Sequence, residues 1–386
     1  MSRRAKAHPS ENGNTRANLQ RSGAEVAKRL RGTGVASPSD IMATVAAFEL
    51  SAGAVATERS HAALCDRRAA AGSSSLLWAV VLAGGWGVRL RPLTRLLSGD
   101  NRPKQYATLT GSRSLLQQTL DRTGLRIPSE RTVVISLEAH ASYLAAALAG
   151  HGARVLLQPS DRGTAAGVLL PAHWIRGRAP DATVAVFPSD HFVQEGEAFM
   201  DQVADAASFV DEHPGRIVLL GIHATDPETE YGWIEPGPVL GQAGRNTVRT
   251  VQRFIEKPSP EVARTCLAAG ASWNTFVFVA KAKTLVQAGR QCVPRIHSLL
   301  DRIVHGTGRM ARPEDIRRAS AALPRANFSR DVLEHVLPML AVTTLTEVTW
   351  CDWGSPRRVV ASLKLLGIRP AWLDQLTEPV ETGSGG

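Results

Sequence analysis

The 386-residue sequence predicts an α/β fold in which a mostly parallel β-sheet is flanked by helices. The first observation is that, from Leu76 onward, apolar segments rich in β-branched residues alternate with helical stretches of about ten to fifteen residues. The second is that some of these segments, such as residues 184–187, contain no polar residue. Strands of this kind are covered on both faces, which is typical of parallel sheets.

The predicted elements follow one another in a regular order. We expect strands at residues 78–82, 132–136, 154–157, 183–187, 217–222, 247–255 and 276–280. We expect helices at residues 114–123, 139–148, 165–175, 199–212 and 283–303, the last interrupted at Pro294. This order indicates a Rossmann-like sheet, whose ligands bind beyond the carboxyl ends of the strands.

The chain divides into three regions by composition. Residues 1–75 have no sustained hydrophobic period and hold 11 Lys and Arg against 6 Asp and Glu, so we expect a basic, disordered extension. Residues 76–362 are the predicted α/β domain, and residues 363–386 form a C-terminal segment with a flexible, glycine-rich end.

Composition also narrows the class of protein. No apolar run approaches the ~20 residues that a membrane span requires, so we expect no membrane-spanning segment. Cys65, Cys266, Cys292 and Cys351 have neither metal-ligand nor redox spacing, which favours a reducing, cytoplasmic location. Half of the formal net charge of +10 lies in residues 1–75, and the +5 that remains in residues 76–386 suits phosphate-bearing substrates. We expect no nucleic-acid partner.

A glycine-rich turn follows the first predicted strand. Glycines let backbone N–H groups approach a phosphate closely, and Arg89 and Lys104 supply positive charge nearby. The turn lacks both the Gly-Lys-Ser/Thr ending of a Walker loop and the dinucleotide-binding glycine pattern. The alternative is an ordinary strand-to-helix turn with solvated arginines. The candidate phosphate-binding residues of the turn are Ala83, Gly84, Gly85 and Gly87.

Two carboxylates are candidate metal ligands. Asp190 comes directly after the strand at residues 183–187, and Asp352 lies in the segment 349–356. Mg²⁺ prefers one or two carboxylates together with substrate phosphates. The alternatives are that Asp190 caps the next helix and that Asp352 is a turn residue.

These segments resemble the sugar-1-phosphate nucleotidyltransferase family. Residues 84–93 are similar to its signature Gly-Gly-x-Gly-Thr-Arg-Leu-x-Pro-Leu, with Val88 in place of Thr. The later Pro-Lys-Gln at residues 103–105 looks most like the mannose-1-phosphate guanylyltransferase branch. The resemblance implies the nucleotide-diphospho-sugar transferase type of fold, a turn that wraps a triphosphate, and Arg89 and Lys104 neutralising its charge. It also implies that Asp190 and Asp352 bind the metal.

Three further segments resemble the sugar side of the family's site. Residues 227–234 are similar to Pro-Glu-Thr-x-Tyr-Gly-Tyr-Ile, residues 254–258 to Phe-x-Glu-Lys-Pro, and residues 273–278 to Trp-Asn-Ser-Gly-Met-Phe. In the last, Phe276 replaces the family's Gly, which we expect to reshape the sugar pocket. The sugar-phosphate residues that the resemblance implies are Tyr231, Gly232, Glu256, Lys257 and Asn274.

The segment at residues 158–167 resembles the family's base-recognition motif Glu-Pro-x-x-Arg-Asn-Thr-Ala-Pro-Ala. Arg162 and Thr164 are retained, whereas Gln158 replaces Glu and Gly163 replaces Asn. The resemblance implies that Gln158, Arg162 and Thr164 bind the nucleotide. A Glu accepts from both N1–H and the amino group of guanine, and a Gln can do part of that, so guanine is favoured.

The predicted reaction joins GTP and mannose 1-phosphate to give GDP-mannose and pyrophosphate. A sugar phosphate is already an anionic nucleophile, so the catalyst needs cations and alignment: Arg89, Lys104, Lys257 and Mg²⁺ on Asp190 and Asp352. The alternatives are another pair, such as UTP with glucose 1-phosphate, and a non-catalytic nucleotide-sugar sensor. A homodimer is a further expectation.

Overall fold

The computed structural model describes residues 76–305, 317–318 and 320–375. The extension predicted at residues 1–75 and the flexible end from residue 376 lie outside these described residues. Within them, no helix is long and apolar enough to cross a membrane.

A nine-stranded sheet forms the centre of the fold. Its strands are Leu77–Leu82 (β1), Thr132–Leu137 (β2), Arg154–Gln158 (β3), Thr183–Pro188 (β4), Ile217–His223 (β6), Gly232–Ala243 (β7), Asn246–Glu256 (β8), Ser272–Lys281 (β9) and Leu340–Thr344 (β10). Their order across the sheet is β3-β2-β1-β4-β9-β6-β10-β8-β7. The pairs β3–β2, β2–β1, β1–β4 and β6–β10 are parallel, and the other pairs are antiparallel. The predicted α/β fold is confirmed, with a mixed second half of the sheet.

Strand β7 at the sheet edge did not follow from the sequence pattern. Pro236, Gly237 and Pro238 interrupt it, and such residues are typical of loops. The register between β7 and β8 shifts at Pro236 and Val239, so the hairpin absorbs these residues as irregularities. An edge strand tolerates proline because one side of its backbone has no partner strand.

Helices cover both faces of the sheet. They are Arg91–Ser98 (α1), Leu115–Thr123 (α2), Ala141–Ala147 (α3), Gly163–Arg178 (α4), Gly196–Glu212 (α5), Pro260–Ala268 (α6), Ala282–Cys292 (α7), Pro294–His305 (α8), Phe328–Asp331 (α9), Pro356–Leu365 (α10) and Ala371–Gln375 (α11). In β4, Val184 and Val186 pack into the core under α4, whereas Ala185 and Phe187 pack into the core under α5. The apolar run at 184–187 is therefore buried on both faces, as its composition predicts.

Two pairings bring the candidate site together. Leu82 at the end of β1 lies in register with Pro188 at the end of β4, so the segments that follow these strands lie side by side. A second, two-stranded sheet pairs Phe192–Val193 (β5) with Trp350–Cys351 (β11). That pairing holds Asp352 near Asp190, although the two residues lie far apart in the chain.

Candidate active site

The glycine-rich turn is held by side chains beneath it. The amide of Gln105 donates to the carbonyl oxygens of Ala83 at 2.9 Å and Gly85 at 2.8 Å. The Tyr106 hydroxyl also reaches the Ala83 oxygen, at 3.2 Å. Gln105 is buried, and its place in the Pro-Lys-Gln motif did not predict that it would support the turn. Its two hydrogen bonds fix the shape of the turn through carbonyl oxygens. The N–H of Ala83 is already used, because it donates to the Ile135 oxygen at 2.8 Å.

Gly87 places the glycine-rich turn directly against Lys104. Its φ of 55° lies in the left-handed region, and a β-carbon there would come within 2.7 Å of the Lys104 Cβ. A side chain at this position would therefore be strained and would push Lys104 away.

Lys104 contacts the segments that follow strands β4 and β11. The side chain is 4% exposed, and its ammonium donates to Asp190 Oδ2 at 3.1 Å and to the backbone oxygen of Asp352. Burial alone would raise the pKa of Asp190, but the charges of Lys104 and His191 outweigh it and hold that pKa below its usual range. Helix α5 begins at Gly196 with Glu195 at its N-cap, so Asp190 does not cap it.

Asp352 is engaged by three donors. Its Oδ1 accepts from the Tyr231 hydroxyl at 2.8 Å, the Gly354 N–H at 2.9 Å and Arg358 Nη1 at 3.1 Å. Burial would raise the pKa of Asp352, yet His191 and the Tyr231 and Gly354 hydrogen bonds lower it overall. Asp352 is thus both a turn residue and a charged group facing the site. No sequence pattern marked Arg358, whose contact depends on α10 reaching back to the loop.

Four of the five predicted sugar-phosphate residues line one cavity of about 270 Å³, named the sugar-side cavity below, and Lys257 does not line it. A β-carbon on Gly232 would lie 2.8 Å from Glu256 Oε2 and 3.2 Å from the Asn274 Cβ, so only glycine allows this close approach. Burial raises the pKa of Glu256 and that of Tyr231. The residues that line the cavity include Asp190, Tyr231, Gly232, Glu256, Asn274 and Asp352.

The backbone of Phe276 has a conformation that normally favours glycine. Its φ is 58°, in the left-handed region, and its N–H donates to Asn274 Oδ1 at 3.1 Å. The ring packs near Phe278 and Phe328, with ring centroids 5.9 Å and 6.5 Å apart, and it also lines the sugar-side cavity. The aromatic ring therefore forms part of the cavity wall, on a backbone conformation that is strained for a residue other than glycine.

Arg89 and Lys257 share one carboxylate. Arg89 Nη1 pairs with Glu230 Oε2, and Lys257 Nζ lies 4.0 Å from the same oxygen. Glu230 lines the sugar-side cavity, whereas neither cation does. Glu230 belongs to a motif in the sequence, but nothing in that motif predicts this pairing.

A second cavity of about 450 Å³ adjoins the first, and both are lined by Leu82, Gly85 and Thr164. Gln158 is 4% exposed in its wall, and Gln158 Nε2 has no hydrogen-bond partner within the described part of the chain. The φ of Gly163 is 78°, and a β-carbon on it would lie 2.2 Å from the Ala326 oxygen. This contact accounts for glycine where the family pattern has Asn.

The wall of this second cavity includes a segment that sequence reasoning missed. Residues 325–331 cross the start of α4, where Phe328 N donates to Thr164 Oγ1 at 2.8 Å. Arg162 points elsewhere: its Nη2 donates to the Ala321 oxygen at 2.6 Å, and it does not line the cavity. No motif marks the segment, whose lining residues are Arg325, Ala326, Asn327, Arg330 and Asp331.

The chain is similar to known nucleotide-transferring proteins. A family model described as nucleotidyl transferase matches residues 78–364. The xanthan biosynthesis protein XanB of Xanthomonas campestris pv. campestris (strain B100) is 31% identical over 284 residues, which are 72% of this chain and 57% of that protein. A mannose-1-phosphate guanylyltransferase of Klebsiella pneumoniae is 32% identical over 289 residues, which are 72% of this chain and 58% of that protein. This chain thus spans less than three fifths of the length of both relatives.

Solved structures support the same fold. The crystal structure described as a mannose-1-phosphate geranyltransferase from Thermus thermophilus has a TM-score of 0.63 and 32% identity, covering 74% of this chain and 79% of that one. A structure described as a mannose-6-phosphate isomerase from Helicobacter pylori has a TM-score of 0.56 at 20% identity, covers 72% of this chain and 99% of that one, and bears on the fold alone.

Proposed function

This chain belongs to the nucleotidyl transferase family, and from that premise we propose that it transfers a guanylyl group from GTP to mannose 1-phosphate, giving GDP-mannose and pyrophosphate. The observation that carries the proposal is the pair of adjoining cavities that meet at Leu82, Gly85 and Thr164. One cavity has the buried amide of Gln158 for a base. The other has Glu256 and Asn274 for sugar hydroxyls, and the glycine turn lies between them.

The reaction is a displacement at phosphorus. A phosphate oxygen of the sugar phosphate attacks the α-phosphorus of the triphosphate, a new P–O bond forms, and the bond to pyrophosphate breaks. The nucleophile is already an anion, so no general base is needed. The barrier comes from repulsion between phosphates and from alignment, which fixed cations reduce. In this proposal Lys104 and Arg89 neutralise the triphosphate, and Lys257 holds the sugar phosphate.

Members of this family generally use a divalent metal. The residues here fit Mg²⁺, because Mg²⁺ takes one or two carboxylates plus phosphate oxygens and the pKa of both Asp190 and Asp352 is lowered. The ammonium of Lys104 contacts the Asp190 carboxylate and the Asp352 backbone oxygen, which keeps the two residues close together. We propose that these two residues would hold the ion. When bound, it would neutralise phosphate charge during the displacement.

The proposal is tested by pyrophosphate release. The full chain is incubated with Mg²⁺ and a matrix of nucleoside triphosphates and hexose 1-phosphates, and we expect the highest kcat/KM for GTP with mannose 1-phosphate. Gln158 and Gly163 motivate UTP with glucose 1-phosphate as the second pair. Binding without turnover for every pair would overturn catalysis and favour a nucleotide-sugar sensor. The expected homodimer and cytoplasmic location stay predictions.

A further inference from the structure

Glu230 occupies the one position of its loop that the family pattern leaves open. In Pro-Glu-Thr-x-Tyr-Gly, Glu230 is the variable residue, directly before Tyr231. Its N–H donates to Glu228 Oε1 at 2.9 Å, and Glu228 in turn pairs with Arg358. The loop is therefore tied at its base, and the side chain of Glu230 is directed into the site.

The carboxylate of Glu230 lies between two cations from separate segments. Arg89 follows the glycine turn, and Lys257 follows strand β8. Glu230 Oε2 pairs with Arg89 and lies 4.0 Å from Lys257 Nζ. These are the two cations that the proposed reaction assigns to different phosphates, and one internal oxygen contacts both of them.

Of these three groups, the carboxylate is the one that faces the sugar-side cavity. Glu230 lines that cavity, and neither Arg89 nor Lys257 does. Glu230 therefore brings a negative charge to the cavity wall beside the two cations. Because like charges repel, a phosphate that takes both cations as partners has to displace the Glu230 oxygen that now pairs with them.

We propose that Glu230 is a displaceable internal counter-ion, which holds Arg89 and Lys257 in the substrate-free protein and is expelled by the substrate phosphates. The inference rests on the proposed function. Displacement costs little, because the side chains of Arg89, Glu230 and Lys257 are 53%, 45% and 46% exposed. An ion pair this exposed changes a binding constant by about 1.4-fold to fivefold.

The test measures anion binding without turnover. Calorimetric titration of the full chain with inorganic pyrophosphate, in EDTA and again with Mg²⁺, compares the wild type with Glu230→Gln. We expect the variant to bind pyrophosphate about twofold to fivefold more tightly in both conditions. Unchanged binding, or no binding by either protein, would overturn the proposal. Weaker binding in Mg²⁺ would also overturn it, because Glu230 would then be a metal ligand.

Asp226→Asn is the matched control, since it removes a charge from the same loop at an exposed side chain that contacts Thr225, and it leaves Arg89 and Lys257 paired. Equal tightening in both variants would mean a general electrostatic effect and would overturn displacement. Thermal unfolding verifies that both variants fold, and Glu230→Ala serves as a second variant. In turnover assays we expect Glu230→Gln to lower KM for the phosphate substrates. If no substrate pair turns over, the proposed function fails, but the pyrophosphate titration still decides the role of Glu230.

Discussion

Gly87 lies directly against Lys104: a β-carbon on the glycine would come within 2.7 Å of the lysine Cβ and 2.9 Å of its backbone nitrogen. The ammonium of the same lysine holds Asp190 at 3.1 Å. The shape of the glycine-rich turn and the position of the buried ammonium of Lys104 therefore depend on each other.

Gly87→Ala is expected to damage both folding and activity. The φ of 55° is costly for alanine, and the added methyl group must displace Lys104 backbone atoms rather than a flexible side-chain end. We expect a loss of about 1–3 kcal/mol in the free energy of unfolding, measured by urea denaturation. Gly215→Ala is the control, because its β-carbon meets nothing within 4 Å and no left-handed φ is involved. Equal stability of the two variants would contradict the constraint.

Asp190→Asn should lose most of kcat while the protein stays folded. The change removes a negative charge that faces the cavity and keeps the shape of the side chain. We expect kcat to fall by about 100-fold or more, since metal and cation placement supply much of the rate in such displacements. Asp201→Asn, which breaks an exposed pair with Arg126, provides the control and should retain wild-type turnover. Wild-type kcat in Asp190→Asn would remove its proposed metal role.

The acid stability of the protein should depend on Asp352. Its pKa is lowered in the folded state, so its favourable interactions are fully present above the unfolded carboxyl pKa of about 3.9 and are lost as the pH falls through the folded pKa. Urea unfolding of the wild type and Asp352→Asn, in EDTA, should thus show a large difference at pH 7 that shrinks below pH ~4. A difference that is constant from pH 7 to pH 3 would contradict this linkage.

Local patterns predicted the parallel strands β1 to β4 and the site residues that follow β1 and β4, because buried parallel strands leave continuous apolar runs. Asp190 after β4 is such a case. The same patterns missed β7 and β10. The pairing of Glu230 with Arg89 and the contact of Arg358 with Asp352 join distant segments, and each half looks like an ordinary surface charge in the sequence. The segment 325–331 was missed because it carries no motif and lines the cavity only through its position across α4.

Phe276 should give an unusual order of stabilities. Replacing it with Gly relieves the strain of φ 58° but empties the space beside Phe278 and Phe328, whereas Ala leaves the same space and keeps the strain. We expect Phe276→Gly to be less stable than the wild type by about 1–3 kcal/mol, and Phe276→Ala to be less stable still by about 0.5–1 kcal/mol. Chemical denaturation of the three proteins provides the comparison. A higher stability of Phe276→Ala than of Phe276→Gly would contradict the backbone strain inferred at this position.

Gln158 should decide how strongly the base is selected. Its amide has one donor and one acceptor side, which can meet the N1–H and O6 of guanine and equally the N3–H and O4 of uracil. A Glu there accepts from both N1–H and the amino group of guanine, and uracil offers only one such donor on that edge. We therefore expect Gln158→Glu to raise the ratio of kcat/KM for GTP over UTP by about tenfold, which corresponds to about 1.4 kcal/mol. Gln158→Met, similar in length but without either polar atom, should lower both values and leave the ratio nearly unchanged. A ratio that does not move in Gln158→Glu would mean that the buried, unpaired amide does not contact the base, and recognition would then fall to residues 325–331 across the cavity.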